Sequence, residues 1–182
     1  MAALAIRIFV SVLIVSLPAF ASTAGRGRNP FSAVPSPQQS SLAASVAEYV
    51  KAYRTHDWEK LYDLVSDSAR GGVARAGFVG KMRSAHGEQF SNFPDLMEFE
   101  ADRTIARNEH EYDIFGCGAA RREKMDFRGI AVVHAVFEHN AWHFSGWSFT
   151  EFPNEPCNLL KKPSWEPPDP MEWGGPMGEL KE

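Results

Sequence analysis

Apolar and polar positions change rhythm once along this chain, from a helical spacing to an alternating one. From Ser41 to about His56, Leu42, Val46, Tyr49, Val50 and Tyr53 recur at intervals of three, four and seven, which predicts an amphipathic helix capped by Ser41. Asp57 is placed to cap a second helix, with Glu59 and Lys60 in its first turn and Trp58, Leu61, Leu64 and Val65 as its apolar stripe. Ser66 to Gly72 interrupts the pattern. A third helix is expected over about Arg75–Ala85, with Phe78, Val79 and Met82 turned inward and a stop near Gly87.

From Leu96 onward the period is two. Met97, Phe99, Ala101, Arg103 and Ile105 alternate with Glu98, Glu100, Asp102 and Thr104, the pattern of a strand with one wet face. Further strands are expected from about Tyr112 to Arg122, Phe127 to Glu138 and Ala141 to Thr150. His139-Asn140 is a two-residue polar break between apolar runs, so the last two strands should form a tight hairpin. Helices followed by a strand meander predict an α+β fold, with the N-terminal helices packed on one face of a strongly curved antiparallel sheet of about four to six strands.

The flanks read differently. Arg7 followed by the uncharged run Ile8–Leu17, Pro18 and the small-x-small triplet Ala19-Phe20-Ala21 has the layout of a secretory signal. Cleavage is expected after Ala21, with Ala24 as the second choice. An uncleaved anchor is the alternative, because the run extended through Ala24 just reaches the roughly 20 residues a membrane span needs. Residues 22–40 have a linker composition and residues 158–182 form a Pro-rich tail, leaving one domain over 41–157. That tail also carries Trp165, Met171 and Trp173, which wholly solvated tails rarely do.

Charge removes some classes of function. The formal net charge is −4, and loss of the leader removes Arg7 and no acid, giving −5. A mildly acidic protein is poorly suited to nucleic acid or to anionic membrane surfaces, and stable membrane insertion is not expected after cleavage. The two cysteines, Cys117 and Cys157, lie in no metal-binding or redox spacing, so in an oxidising compartment a disulfide is expected. The localisation read from these features is exported, either periplasmic or secreted.

Order and local residues resemble the nuclear transport factor 2-like superfamily. The resemblance rests on Tyr53-Arg54-Thr55-His56-Asp57-Trp58, on Leu61-Tyr62-Asp63-Leu64-Val65 and on Ala141-Trp142-His143-Phe144, and it covers about Ser41 to Phe152. It implies a cone-shaped fold with an Asp-Trp turn between the first two helices and a core-facing Trp in the last strand. The isomerase branch of that superfamily carries an acidic base just beyond the second helix. Here that position offers only Asp67, within Ser66-Asp67-Ser68, where a turn or cap role is the simpler reading.

Candidate residues fall into two groups. Tyr49, Tyr53, Trp142 and Phe144 are candidates for lining the cone cavity. His134, His143, Trp147 and Phe149 are candidates for an outer interaction face, because pairing Val136 with His143 and His134 with Ser145 sets both histidines on the side away from Trp142. No third metal ligand is identifiable beside them, no catalytic constellation is present, and no cofactor or metal is expected. A turn centred on Lys124-Met125 would pair Cys117 with Val132 and place it on the same outer face, to be covered by the tail or by a second copy of the domain. The leading functional reading is a non-catalytic module for a small apolar ligand or a protein partner, with homodimerisation open. The alternatives are an isomerase- or dehydratase-like enzyme and a structural partner in an envelope complex.

Overall fold

The structure, a computed structural model, describes residues 29–87, 94–122, 125–151 and 157. The leader and the tail of the sequence reading lie outside the described residues. Four helices, α1 (Ser36–Thr55), α2 (Trp58–Leu64), α3 (Asp67–Arg70) and α4 (Arg75–Gly87), precede four strands, β1 (Asp95–Ala106), β2 (Glu111–Arg122), β3 (Met125–Glu138) and β4 (Ala141–Glu151). The strands form one antiparallel meander in the order β1-β2-β3-β4, so the fold is α+β with its helices on one sheet face.

α1 starts five residues before Ser41. Pro35 is its N-cap residue and Pro37 sits in the first turn, where a missing N–H leaves no helical bond unmade. Proline content therefore marked a helix start within the stretch expected to be linker. Ser41 Oγ instead donates to the Gln38 carbonyl at 2.8 Å and lies 3.2 Å from the Trp142 indole nitrogen, tying α1 to β4. Asp57 caps α2 as expected, its carboxylate accepting from the Lys60 N–H at 3.1 Å. The Ser66–Gly72 break contains the single turn α3, with the Ser66 hydroxyl accepting from the Ala69 N–H and Gly71 closing it in the left-handed region.

The β3–β4 hairpin turns at His139 and Asn140, whose φ values of 52° and 61° are those a two-residue hairpin matching the strand twist requires. Glu138 pairs with Ala141 and Val136 with His143, as expected. The register then slips. Ala135 pairs with Phe144 but His134 pairs with Gly146, so Ser145-Gly146 forms a bulge with Gly146 at φ 146°. One extra residue inverts the parity of everything beyond it, and this corrects two expectations: Trp147 and Phe149 turn to the helix side, Trp147 within the core and Phe149 packed against it.

A second correction concerns Cys117, which pairs with Ile130 and not with Val132. The displacement is two residues, so Cys117 keeps its expected face. On the inner face, Tyr49 stacks on Phe144 with ring centroids 4.4 Å apart, and Tyr53 meets Tyr49 at 5.2 Å and Trp147 at 5.9 Å. Trp142 packs on Phe137 and Tyr112 while its indole N–H points to the Gln38 carbonyl and Ser41.

Candidate functional site

α1 lies along β1, and the gap between them opens as a groove of about 570 Å³. Its floor is apolar: Val46 and Val50 from α1 and Phe99 and Ala101 from β1 line it together with Phe31. The α1 residues follow from helical spacing, since 43, 46, 47 and 50 share one flank, where Ala43 and Ala47 keep the lip low. Phe99 lies over Gly116 of β2, where a Cβ would come within 2.7 Å of its ring. Glycine at this position thus lets the ring lie flat and keeps the floor open. Lys51 and Arg54, one turn apart, stand on the rim, exposed and without an ion-pair partner among the described residues. Glu98, also at the rim, reaches Arg128 on β3 at 3.3 Å. The volume falls in the range of small-molecule sites, and the combination of an apolar trough with two cations suits a molecule with an apolar body and an anionic head.

The four residues expected to line a cavity are packed on one another and on neighbouring rings. Burial pushes the Tyr49 hydroxyl well above its ordinary pKa, with the neighbouring Tyr53 adding to the shift. Burial also pushes Tyr53 up to about 12. Both hydroxyls therefore stay protonated at neutral pH.

The histidine pair shares the outer face as expected, but each is engaged by a different carboxylate. His134 Nδ1 lies 2.7 Å from Asp113 Oδ1, directly across the β2–β3 ladder, and Arg107 Nε donates to Asp113 Oδ2 at 2.5 Å. Asp113 is almost fully buried, so the paired cation and imidazole are what make its burial tolerable. His143 Nδ1 is 3.7 Å from Glu138. Asp67 begins α3 and is exposed. Its carboxyl is held below the usual range by the hydrogen bond with His139 and by Arg70, and His139 is correspondingly raised by Asp67. Asp67, Glu138 and His139 are the one set among the described residues whose ligand atoms gather within 4.8 Å. Arg70 already neutralises Asp67, and the Asp67 N–H already occupies a Glu138 oxygen.

One cluster escaped the sequence reading. Asp95, the first residue of β1, receives His56 Nε2 at 2.9 Å and His86 Nδ1 at 2.7 Å, and Trp58 lies against both imidazoles at 4.9 and 4.8 Å. Burial alone would raise the Asp95 carboxyl, but the hydrogen bonds from His86 and His56 more than reverse that and leave it lowered. The ends of α1 and α4 and the starts of α2 and β1 meet here. His56 and Asp95 are 39 positions apart, and no short motif could have joined them.

The Cys117–Cys157 disulfide is present. Among the described residues no helix is long and apolar enough to cross a membrane. No family model and no curated protein matches the chain. Among solved structures it is similar to Bd1075 of Bdellovibrio bacteriovorus, with 10% identity over 65% of this chain and a TM-score of 0.48. It is also similar to a Nostoc punctiforme domain of unknown function described as having a cystatin-like fold, with 13% identity over 65% of this chain and 80% of that one, and a TM-score of 0.46. The chain spans 42% of the Bd1075 chain.

Proposed function

We propose that this chain is an exported, non-catalytic binding domain of the nuclear transport factor 2-like type, and that its ligand is a small amphipathic anion lying in the α1–β1 groove. The observation that carries the reading is the pairing of an apolar floor with two exposed cations on its rim that have no ion-pair partner among the described residues. The Asp57-Trp58 turn and the inward Trp142 support the superfamily assignment, and the leader together with the disulfide supports export. A binding role fits the chemistry better than an enzymatic one. The groove lining contributes one carboxylate, already facing Arg128, and the interior tyrosines stay protonated.

Calorimetric titration of the purified mature chain with dodecanoate and with dodecanol tests this. Dodecanoate should bind, and dodecanol about tenfold more weakly, as expected for loss of a charge-assisted contact worth roughly 1.5 kcal/mol. Ala47→Trp should block both ligands by filling the trough, whereas Lys51→Glu with Arg54→Glu should remove the preference for the acid. Absence of binding by either ligand, or equal binding that Ala47→Trp leaves intact, overturns the proposal.

A further inference from the structure

The sheet face turned away from the helices is apolar at its centre, yet it is buried. By strand pairing Phe115, Cys117 and Ala119 of β2 share that face with Ile130 and Val132 of β3. Phe115, Ala119, Ile130 and Val132 are buried, Ile130 to 0% exposure and Val132 to 2%, and none of the four belongs to the cluster under the helices. Among the described residues the one chain segment joined to this face from outside the sheet is Cys157, whose Cα lies 5.3 Å from that of Cys117. The disulfide therefore starts the last 25 residues, 158–182, from the middle of the apolar patch.

We infer that residues 158–182 form a strap docked on the outer face over Phe115, Ile130 and Val132, with Trp165 and Trp173 as its anchors and the disulfide as its clasp. The reach is sufficient. Trp165 is eight residues past Cys157, up to roughly 26 Å of chain, whereas Phe115 and Val132 lie two strand positions from the clasp, roughly 7 Å. The composition fits a face and not an edge. Pro163, Pro167, Pro168, Pro170 and Pro176 deny the segment regular ladder hydrogen bonds, so it must hold on by side chains, and tryptophan supplies the largest apolar area for that purpose. Charge agrees as well: Glu166, Asp169 and Glu172 punctuate the segment, and Arg103 and Arg128 flank the patch on the same face. This surface is separate from the groove, so the inference stands whether or not the groove binds an anion.

The test uses the full mature chain with its disulfide intact. Nuclear Overhauser contacts from the Ile130 and Val132 methyls to the Trp165 or Trp173 indole rings are expected within one molecule, and a sample mixing labelled and unlabelled chains separates these from contacts between copies. A chain ending at Lys162, which keeps the disulfide, should bind severalfold more of a hydrophobic dye. The full-length double variant Trp165→Ala, Trp173→Ala should do the same and guards against a truncation that fails to fold. Absence of the intramolecular contacts overturns the strap. So does their appearance only between copies together with a dimer mass, which would assign the face to a second copy of the chain.

Discussion

The two faces of the sheet are both buried, but by different means. On the inner face, large rings of the sheet interlock with one another and with α1: Tyr49 on Phe144, Tyr53 against Trp147, Trp142 on Tyr112 and Phe137. On the outer face, smaller aliphatics and Phe115 surround a disulfide, beside an ion cluster in which Arg107 and His134 hold the buried Asp113. The inner face is a core assembled by contacts spread over many elements. Among the described residues the outer one is joined to the chain beyond the sheet by a single covalent tie and is bordered by a few charged groups. The same substitution should therefore have different consequences on the two sides.

The largest expected effect comes from matched phenylalanines. Phe144→Ala removes a fully buried ring and should cost about 3–5 kcal/mol in urea unfolding, whether or not the disulfide is intact. Phe115→Ala should approach that cost in the oxidised protein but lose more than half of it in a Cys157→Ser background. Equal costs for Phe115→Ala in both backgrounds would break the contrast between the faces. Next in size is Cys157→Ser itself. Opening a loop of 40 residues should cost roughly 3–4 kcal/mol by chain entropy, read as a lower denaturation midpoint.

Asp95→Asn sharpens the comparison at the helix ends. It removes the ionic acceptor of two histidines and should cost about 1–3 kcal/mol at neutral pH. The Asp95 carboxyl is lowered in the folded state, so its contribution is present above the ordinary aspartate pKa of 3.8 and is lost as pH falls through the folded value. The gap between wild type and Asp95→Asn should thus close in strong acid. A gap that persists there would assign Asp95 a packing role.

How much of this was legible depends on where the determining residues sit. The alternation of β1, the Asp57 cap and the His139-Asn140 turn are set by neighbours in sequence, and each was readable. The fate of Trp147 and Phe149 was not, because parity counting presumes an unbroken ladder. Gly146 inside an otherwise apolar strand was the available signal, since a glycine there often marks a bulge. The α1 start was masked by prolines that count against a helix everywhere except in its first turn. The groove was invisible for another reason: its two walls, 43–54 and 97–101, meet only once the register of β1 over Gly116 is known. Asp113 gave a fair hint, a lone carboxylate between Tyr112 and Ile114, but its partners Arg107 and His134 come from a turn and a neighbouring strand.

The smallest predicted effect lies at the rim between the two faces, where His139 of the hairpin turn holds Asp67 of α3. Both groups are exposed, so salt and solvent screen the pair and no large stability change should attend its loss. Its pH dependence is nevertheless defined. Asp67 is lowered, so its contribution is present above 3.8 and is lost as pH falls through its folded pKa. His139 is raised, so its contribution is complete below 6.5 and is lost as pH rises through its folded pKa. The pair therefore acts in the interval between these two limits. His139→Ala should lower Tm slightly at pH 5 in dilute buffer, and the difference should shrink both as pH rises through the folded pKa of His139 and at 1 M salt. Asn140 keeps the turn in the left-handed region, but alanine at position 139 meets the same backbone demand less well, so a fixed decrement should remain at every pH. Only the part that varies with pH and salt belongs to the ion pair, and a Tm difference constant across this pH range would show that the pair adds nothing to the turn geometry and to the Asp67 N–H bond to Glu138.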